Sequence, residues 1–560
     1  MSAEESLMPS SESGKLPQSY NIESGDAKFV KGSENVDVQT STKLIGLTKE
    51  QLEKYRNDPF WRPIRYVLFV MFWAVWIAMF AGAIIIVVLS PKCDAKAVAK
   101  WDQIAVHYQL FTPSFRDSNG DGVGDFNGVS EKMDLLRKIG VTSVWATPVV
   151  ETQKDGYDVE NVMNLDAVDA RFGTEEEFAA MIALAHKKEM KVVMDLPVSV
   201  SKHHQWNVNS SFVDFVERSE LSKEEFVPIN WKNPEARTAV INSAVKFAKL
   251  GIDGFHVNDA FLSGYTNISA LIKERVKTIE DLKDKEIIFF SSASDNIHHA
   301  GNDGISYTLR SISDLKGGLC KDQISAINCI RASLKAAAEE KRDVPFIWKN
   351  GDINSERADQ RFGSHVVEIQ TLLTIIQMTL PGPVQTYYGE ELDLASAGKN
   401  EHKNRGVMQW DTTAHAGFTS DKKDIFFGKT DNFETVNFQS YFDDSRSALR
   451  VYQKLAKLRG RTEVIQFGDI IIKNVGDLIV ISRYVAGTSD PVYLLVVNLP
   501  VEGDGSKQKI VIDQALVPER PIESAEIVVV TPKSKLETHG RFILKDGLSL
   551  EPFEGVLLKF

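Results

Sequence analysis

The segment from Tyr66 to Leu89 constrains this chain more than any other part of its sequence. It reads YVLFVMFWAVWIAMFAGAIIIVVL and contains no charged residue. A helix needs about 20 apolar residues to cross the hydrocarbon core of a bilayer. A buried helix of a soluble protein is the alternative, but such helices usually keep a polar face. The segment therefore predicts one transmembrane helix over 66–89. Because it begins well inside the chain, we interpret it as an uncleaved signal anchor.

The sequences on either side of this segment indicate its orientation. Basic residues lie on both flanks, with a small excess on the N-terminal side: Lys54, Arg56, Arg62 and Arg65 before it, and Lys92, Lys96 and Lys100 after it. The positive-inside rule then favours a cytoplasmic N-terminus. Asn209 and Asn267 begin N-x-S triplets, which are N-glycosylation acceptors, and both follow the segment. We predict a single-pass type II protein with glycosylated Asn209 and Asn267.

Residues 1–65 and 90–103 have no pattern of a folded domain. Residues 1–45 are rich in Ser, Glu, Gly and Lys and poor in large apolar residues, so we predict that the tail, 1–65, is cytoplasmic and largely disordered. A short helix from about Thr48 to Arg56 is expected near its end, where Gln51 stands at the capping-box spacing. Residues 90–103 are predicted to be an extracellular neck.

Strand-like and helix-like segments alternate from residue 104 to residue 461. The predicted strands are Ile104–Phe111, Thr142–Pro148, Lys191–Leu196, Gly254–Val257, Ile287–Ser291, Phe346–Trp348 and Val384–Tyr388. Between them lie amphipathic helical segments: Val129–Ile139, Glu175–Lys188, Pro234–Leu250, Ile330–Lys341 and Val366–Leu380. Repeated β–α alternation predicts a parallel sheet covered by helices, and about eight such units close a barrel. The fold class is therefore α/β, with a (β/α)8 TIM barrel over 104–461.

The last part of the chain has a different pattern. Short apolar segments are separated by Gly, Asp, Pro and Lys, without long helical segments: Asp469–Ile472, Leu478–Tyr484, Val492–Asn498, Glu526–Val530 and Gly555–Phe560. This pattern predicts an antiparallel C-terminal β-domain, a β-sandwich, over 462–560.

Charge and cysteine content exclude two classes of protein. The net charge is −12 and the sequence has no large basic block, which argues against a nucleic-acid partner. Only three cysteines are present, so the chain is not a disulfide-built scaffold. Cys320 and Cys329 are close enough in sequence to pair with each other. Cys93, just after the apolar segment, would then be the odd cysteine and a candidate for an intermolecular bond.

Several motifs resemble glycoside hydrolase family 13, the α-amylase and α-glucosidase family, from about Tyr108 onward. They are Ser114–Asp125 (SFRDSNGDGVGD), Gly156–Asp158 (GYD), Phe172–Thr174 (FGT), Lys191–Leu196 (KVVMDL), Leu380–Glu391 (LPGPVQTYYGEE) and Val407–Asp411 (VMQWD). The resemblance implies a TIM barrel whose active site lies at the ends of the strands.

The resemblance also places the reactive positions of that family, and they have changed. Glycoside cleavage needs two flanking carboxyl groups. The family's nucleophile is the Asp of a GFRxD motif, which here reads GFHVN, so the position is Asn258 and the supporting Arg is His256. The general acid position holds Ser292. Asp195 and Asp352 remain, and we interpret them as hydrogen-bonding residues. The chain is therefore predicted not to be an active glycosidase and to have no catalytic residues of that kind.

A one-residue slip of the strand remains an alternative. Asp259 follows Asn258 directly, and such a slip would bring its carboxylate to the nucleophile position. An active membrane-anchored α-glucosidase is accordingly kept as an alternative function.

The DSNGDGVGD loop supplies oxygen ligands at alternating positions. Asp117, Asn119, Asp121 and Asp125 provide side-chain oxygens and Val123 provides a carbonyl, which suits a structural Ca²⁺ ion. The loop is not an EF-hand, because position 12 is Gly128. Some glucosidases of the family bind Ca²⁺ at this loop. A Gly-rich turn whose carboxylates cap the backbone is the alternative.

The whole arrangement resembles a narrower group, the heavy subunits of the heteromeric amino acid transporters in solute carrier family 3. These have an inner tail, one span, a juxtamembrane Cys and a glucosidase-like outer domain, and the segment from Phe80 to Cys93 is especially similar. The resemblance implies a multi-span amino acid transporter light subunit as partner, linked through Cys93, at the plasma membrane. The heavy subunit would carry the light subunit there and stabilise it. An adhesion or receptor protein without a transporter partner is the other alternative.

Overall fold

The computed structural model describes most of the chain from residue 49 onward. The described residues are 49–56, 58–90, 99–153, 157–208, 211–213, 225–258, 267–292, 304–313, 323–339, 344–362, 365–397, 402–420, 425–501, 503, 505–544 and 547–560. They belong to two compact units, Met1–Ala97 and Val98–Phe560.

The N-terminal unit contains two helices, α1 (Lys49–Arg56) and α2 (Trp61–Leu89). Helix α2 is the described helix that is long and apolar enough to cross a membrane, with a mean hydropathy of 2.6 over its most apolar window. None of its residues is buried against the rest of the chain. It includes the predicted segment and begins earlier, since Pro63 lies in the first turn, where no N–H is needed. The predictions for residues 1–48 concern a part of the chain outside the described residues.

Eight parallel strands form a closed barrel in the second unit. Going round it, the strands are β1 (Val106–Phe111), β2 (Ser143–Thr147), β5 (Lys191–Asp195), β8 (Gly254–Val257), β9 (Ile288–Ser292), β10 (Tyr307–Ser311), β11 (Phe346–Lys349) and β12 (Val384–Tyr387). Two small antiparallel pairs lie in the connections: β3 (Val150–Thr152) with β4 (Val162–Val168), and β6 (Ser199–Ser201) with β7 (Phe226–Pro228). The predicted TIM barrel is thereby confirmed.

The helices of this unit follow the strands and then lead into the C-terminal sheet. They are α3 (Thr112–Phe115), α4 (Phe126–Ile139), α5 (Glu175–Lys187), α6 (Pro234–Leu250), α7 (Ile268–Lys277), α8 (Gln323–Glu339), α9 (Ala358–Phe362), α10 (Val366–Thr379), α11 (Phe438–Asp443), α12 (Ala448–Arg461) and α13 (Glu463–Phe467). Local chemistry sets several of their starts. Thr174 and Glu177 form a reciprocal capping box at α5, and Asn233 caps α6 just before Pro234.

Strand β10 is the barrel strand that the sequence pattern did not predict. Its sequence is YTLRS, and Tyr307 and Leu309 pack in the barrel interior with Phe290 and Ile347. Strands buried on both faces usually read as continuous apolar segments. Only every second residue of β10 is apolar, so it lacks that signal.

The C-terminal strands form one large sheet and one small one. The large sheet has the order β13 (Asp469–Val475), β14 (Leu478–Tyr484), β15 (Tyr493–Asn498), β20 (Gly555–Lys559), β17 (Ser524–Val530) and β18 (Arg541–Ile543), all antiparallel. The small sheet pairs β16 (Gln508–Ile510) with β19 (Leu548–Leu550). Leu494 and Val496 of the large sheet share a buried cluster with Ile510 and Leu548 of the small one, so the two sheets pack against each other.

The opposite face of the large sheet packs on the barrel helices. Ile481, Leu495 and Leu557 belong to the same buried cluster as Leu372 of α10 and Leu455 of α12. A Cβ at Gly555 would lie 2.8 Å from the Leu372 side chain, so β20 and α10 approach closely. The barrel and the C-terminal sheet therefore share one continuous core.

Two buried arginines stabilise this junction. Arg459 of α12 donates from Nη1 to the carbonyls of Met378 (2.9 Å) and Leu380 (2.8 Å). Arg483 of β14 donates from Nη1 to Thr379 O at 2.8 Å. Burial lowers the pKa of Arg459 to about 9, and the neighbouring Arg483 charge adds to this. Both guanidinium groups therefore bind the main chain at the C-terminal end of α10.

Candidate functional site

The cleft of interest lies at the carboxyl ends of the barrel strands, where active sites of this architecture are built. Asp195 is the last residue of β5 and Ser292 the last of β9, while His256 lies on β8 with Asn258 just after it. Asp352 follows β11. All five residues line one cavity. The structure thus brings together every position that the resemblance marked as a changed or retained active-site residue.

A chain of hydrogen bonds joins four side chains in this cavity. Asp195 Oδ1 lies 2.8 Å from Nδ1 of His256, and Nε2 of His256 lies 2.9 Å from Oγ of Ser292. Trp145 Nε1 donates to Asp195 Oδ2 at 3.2 Å. The Trp145 ring also packs on the imidazole, with centroids 4.7 Å apart. His256 and Ser292, which the sequence resemblance assigns to the family's arginine and general-acid positions, are therefore joined in one polar network.

Asp352 belongs to a separate ion pair in the same cavity. Its carboxylate pairs with the Lys349 ammonium and accepts hydrogen bonds from Ser355 Oγ (2.8 Å) and Asn354 N (2.9 Å). Burial alone would raise the pKa of Asp352, but the Lys349 charge and these donors outweigh it and lower the pKa to about 2. Asp352 is therefore a fixed anion with filled acceptors, which agrees with the predicted role of a hydrogen-bonding residue.

Glu160 is a cleft residue that the sequence did not point to. It lies in the connection after β3 and lines the cavity beside Asp195. Burial, together with the nearby Asp158 and Asp195 carboxylates, raises the pKa of Glu160 to about 7. Lys349 and Trp145 were also not predicted. Trp145 lies within a predicted strand and Lys349 directly follows one. The sequence did not indicate that their side chains are directed into the cleft.

The part of the cavity that the described residues line is smaller than a usual ligand pocket. Its volume is about 40 Å³. One water needs roughly 10–15 Å³ of such space, so about three waters fit. Ligand pockets usually measure about 300–1,000 Å³. Asp259, the alternative nucleophile, lies outside the described residues.

The 117–125 loop adopts the capped-turn arrangement. Asp117 is fully buried and accepts N–H bonds from Gly120 (2.7 Å) and Gly122 (2.8 Å). Asp125 caps α4 by accepting from Gly128 N at 2.7 Å. The side-chain oxygens of Asn119 and Asp121 accept the N–H groups two residues further on, those of Asp121 and Val123, at 2.9 and 2.8 Å. No group of three or more His, Cys, Asp or Glu side chains is arranged to hold a metal in the described part of the chain. Calcium at this loop stays a prediction.

The cysteines and the glycosylation triplets are only partly described. Cys329 of α8 is buried and disulfide-bonded. Cys93 and Cys320 lie outside the described residues. Asn267 is exposed at the start of α7, which suits a glycan, whereas Asn209 is not described.

Comparison with solved structures agrees with the barrel fold. A trehalose-6-phosphate hydrolase of Bacillus licheniformis superposes with a TM-score of 0.65 at 18% identity, covering 82% of this chain and 100% of that one. An isomaltulose synthase of Klebsiella gives 0.66 at 18% identity, with coverage of 83% and 100%. The family model for the α-amylase catalytic domain matches residues 109–226 and 315–468. The chain has an α-amylase-type fold.

The N-terminal part narrows the identification further. Residues 33–108 match the family model for the N-terminus of solute carrier family 3 member 2. The amino acid transporter heavy chain SLC3A1 of Rattus norvegicus is 24% identical over 97% of this chain and 90% of its own length. Heavy chain SLC3A2 of Oryctolagus cuniculus is 25% identical, with coverage of 94% and 89%. An α-glucosidase of Culex pipiens is 24% identical, with coverage of 83% and 91%. The resemblance to the solute carrier family 3 heavy chains is confirmed.

Proposed function

We propose that this chain is a heavy subunit without glycosidase activity, which carries a multi-span amino acid transporter light subunit to the plasma membrane and stabilises it there. Its N-terminus lies in the cytoplasm, helix α2 crosses the bilayer, and Cys93 forms a disulfide with the light subunit. What supports the proposal is the combination of a heavy-chain N-terminal segment with a glucosidase-like fold, in which the sequence resemblance assigns the acid and nucleophile positions to Ser292 and Asn258.

The chemistry of the cleft supports the absence of glycosidase activity. Retaining hydrolysis needs two carboxyl groups about 5 Å apart on either side of the scissile bond. The amide of Asn258 carries no charge, and the Ser292 hydroxyl is held by His256 at 2.9 Å. The described part of the cavity, about 40 Å³ in volume, is also far smaller than a usual ligand pocket.

Helix α2 offers a surface for a light-subunit helix. Ala78 and Gly82 have the small-xxx-small spacing that permits close helix approach. A Cβ added at Gly82 would meet no atom within 4 Å, so the space beside it is open. The alternative is that Ala78 and Gly82 face the lipid and contact no partner helix. Gly82→Leu would block a packed interface but leave a lipid-facing helix unaffected.

A non-reducing gel tests the proposal directly. The full chain is co-expressed with each member of a panel of multi-span amino acid transporters, as wild type, as Cys93→Ser and as Lys92→Ser. We expect a heterodimer band with at least one transporter, lost in Cys93→Ser and kept in Lys92→Ser, and surface delivery of that transporter. If no member forms such a band, the covalent partner is refuted and an adhesion or receptor role is favoured.

Glu160 keeps the glucosidase alternative testable. A carboxyl group with a pKa near 7 has the property of a general acid. Purified full-length protein is therefore assayed for release of p-nitrophenol from p-nitrophenyl α-glucoside, beside Glu160→Gln and Asp259→Asn. We expect no release above the no-enzyme blank. Release that either variant abolishes would establish the enzyme in place of the inactive subunit.

We also propose that the loop of Asp117, Asn119, Asp121, Val123 and Asp125 holds a structural Ca²⁺ ion. Its support is the donor set, three carboxylates with an amide and a carbonyl oxygen, the ligands that Ca²⁺ prefers. The carboxylate oxygens already accept backbone N–H groups, so the ion would share their remaining lone pairs.

A further inference from the structure

The hydrogen-bond chain in the cleft has the geometry of a nucleophile, a base and an orienting carboxylate. We propose that Ser292 is a nucleophile, activated by His256 and positioned by Asp195, that takes a small acyl group from an ester. This activity is distinct from glycoside hydrolysis and does not depend on the heavy-subunit proposal.

The two distances set the roles of the three side chains. A carboxylate oxygen only accepts hydrogen bonds, so the 2.8 Å contact makes Nδ1 of His256 the donor to Asp195. A neutral imidazole then has its lone pair on Nε2, which lies 2.9 Å from Ser292 Oγ. The hydroxyl must therefore donate to Nε2. This is the hydrogen-bond pattern of a serine nucleophile with its base.

The surroundings hold this pattern in place. Trp145 donates to the second oxygen of Asp195, and its ring and that of Phe290 lie against the imidazole, with centroids 4.7 and 5.5 Å away. The imidazole therefore cannot rotate freely away from Ser292. Its side chain is 12% exposed and that of Asp195 is 20% exposed, so solvent reaches the network.

The chemistry is balanced with an ester and water alone. Ser292 Oγ bonds to the carbonyl carbon while its proton passes to Nε2 of His256. The bond from that carbon to the alkoxy oxygen then breaks, and His256 gives the proton to the leaving alcohol. A water attacks the acyl-serine, again giving its proton to His256, and the acid departs as the proton returns to Ser292 Oγ.

The size of the cavity selects the acyl group. A volume of about 40 Å³ holds about three waters, which matches the three heavy atoms of an acetyl group. Longer acyl chains would collide with Trp145, Leu309 and Ile353, which line the same cavity. The expected substrate class is therefore esters of acetate or a similarly short acid, with the alcohol part lying outside.

Labelling of the full-length protein tests the proposal. The purified chain in detergent is treated with p-nitrophenyl acetate, and acetylated peptides are mapped by mass spectrometry. We expect an acetyl group on Ser292 and a burst of p-nitrophenol of up to one equivalent. p-Nitrophenyl hexanoate should give no adduct at Ser292, and protein denatured in dodecyl sulfate should give none with either ester.

Matched variants separate a nucleophile from a merely reactive hydroxyl. Ser130 of α4 does not line this cavity, and its hydroxyl donates to the carbonyl of Phe126 at 2.9 Å. Ser130→Ala should keep the labelling, and Ser292→Ala should abolish it. His256→Gln should slow it at least about a hundredfold. Asp195→Asn should lower the maximal acylation rate and leave the half-saturating ester concentration unchanged, which a purely structural role would not do.

Three results would overturn the proposal: no adduct at Ser292 in the native protein, equal labelling after denaturation, or undiminished labelling in a folded His256→Gln variant. If His256→Gln does not fold, as judged by its thermal unfolding, the comparison of Ser292→Ala with Ser130→Ala and the denatured control decides.

Discussion

Buried polar groups find different hydrogen-bond partners in two regions of the molecule. One region is the cleft at the carboxyl ends of the barrel strands, and the other is the junction between the barrel and the C-terminal sheet. In the cleft, side chains satisfy one another, as in the chain from Asp195 through His256 to Ser292. At the junction, Arg459 and Arg483 bind main-chain carbonyls and have no carboxylate partner in the described structure. A side-chain network can be rebuilt by paired substitutions. A main-chain contact requires the arginine itself, so we expect the junction to tolerate change far less.

Removal of an arginine at the junction should have the largest effect. Arg459→Ala leaves the carbonyls of Met378 and Leu380 without their donor and opens a cavity. We expect the free energy of unfolding to fall by about 3–5 kcal/mol, measured by urea unfolding of residues 98–560. Arg461→Ala, an exposed neighbour on α12, is the control and should stay within about 0.5 kcal/mol. A loss below about 1 kcal/mol for Arg459→Ala would contradict the comparison.

Restoring the two carboxylates tests whether the cleft has lost its shape as well as its residues. Asn258→Asp combined with Ser292→Glu puts back both groups, but the longer Glu must enter a cavity of about 40 Å³. We expect a loss of about 1–3 kcal/mol in stability from overpacking and no hydrolysis of p-nitrophenyl α-glucoside. Asn258→Asp alone is the control for added charge. Activity in the double variant would show that residue identity was the sole obstacle.

The titration of Glu160 should give a smaller, pH-dependent effect. Its pKa is raised from 4.5 to about 7, so between these values the folded state binds more protons than the unfolded state. The free energy of unfolding should therefore fall as pH rises across this window. After discounting for partial exposure, we expect about 1–2 kcal/mol. The effect of Glu160 is the difference in the free energy of unfolding between wild type and Glu160→Gln at each pH. Other carboxyl groups with a raised pKa are present in both proteins and cancel in this difference. Parallel curves for the two proteins would refute it.

Calcium should give the smallest effect. If the 117–125 loop binds the ion, millimolar CaCl₂ should raise the melting temperature by about 2–4 °C, and EGTA should reverse the rise. Asp121→Asn should abolish it. Asp166→Asn is the matched control. Asp166 lies outside the loop but lines the same surface groove as Asn119 and Asp121. An equal response in both variants would assign the effect to general screening.

Much of the barrel could be predicted because its strands carry continuous apolar segments. Gly254–Val257 was predicted to the residue, and β2, β5 and β12 to within one or two at each end. Strand β10 could not be predicted, because tertiary pairing with β9 and β11 rather than local hydrophobicity makes YTLRS a strand. The predicted starts of α5 and α6 agree with the structure, where Thr174 and Asn233 cap them. Helix α4 begins three residues earlier than predicted and α8 begins seven residues earlier.

The site was predictable only as a set of positions. Motif spacing placed Asp195, His256, Asn258, Ser292 and Asp352 at strand ends, and parallel strands end at one face. The bond from His256 to Ser292 was not predictable, because it depends on the register that pairs Val257 with Ser291 across β8 and β9. Glu160 was missed because the path of a connection, and not its sequence, turns that carboxyl into the cleft.

The continuous core shared by the barrel helices and the C-terminal sheet has a genetic consequence. Leu372 and Leu455 are covered by Leu495 and Leu557 of that sheet, so the sheet cannot be lost as a separate module. A premature stop codon or frameshift between Asp469 and Gly555 would remove at least β20 with Leu557 and leave part of the barrel helices uncovered. Such truncated chains should therefore fail to fold stably.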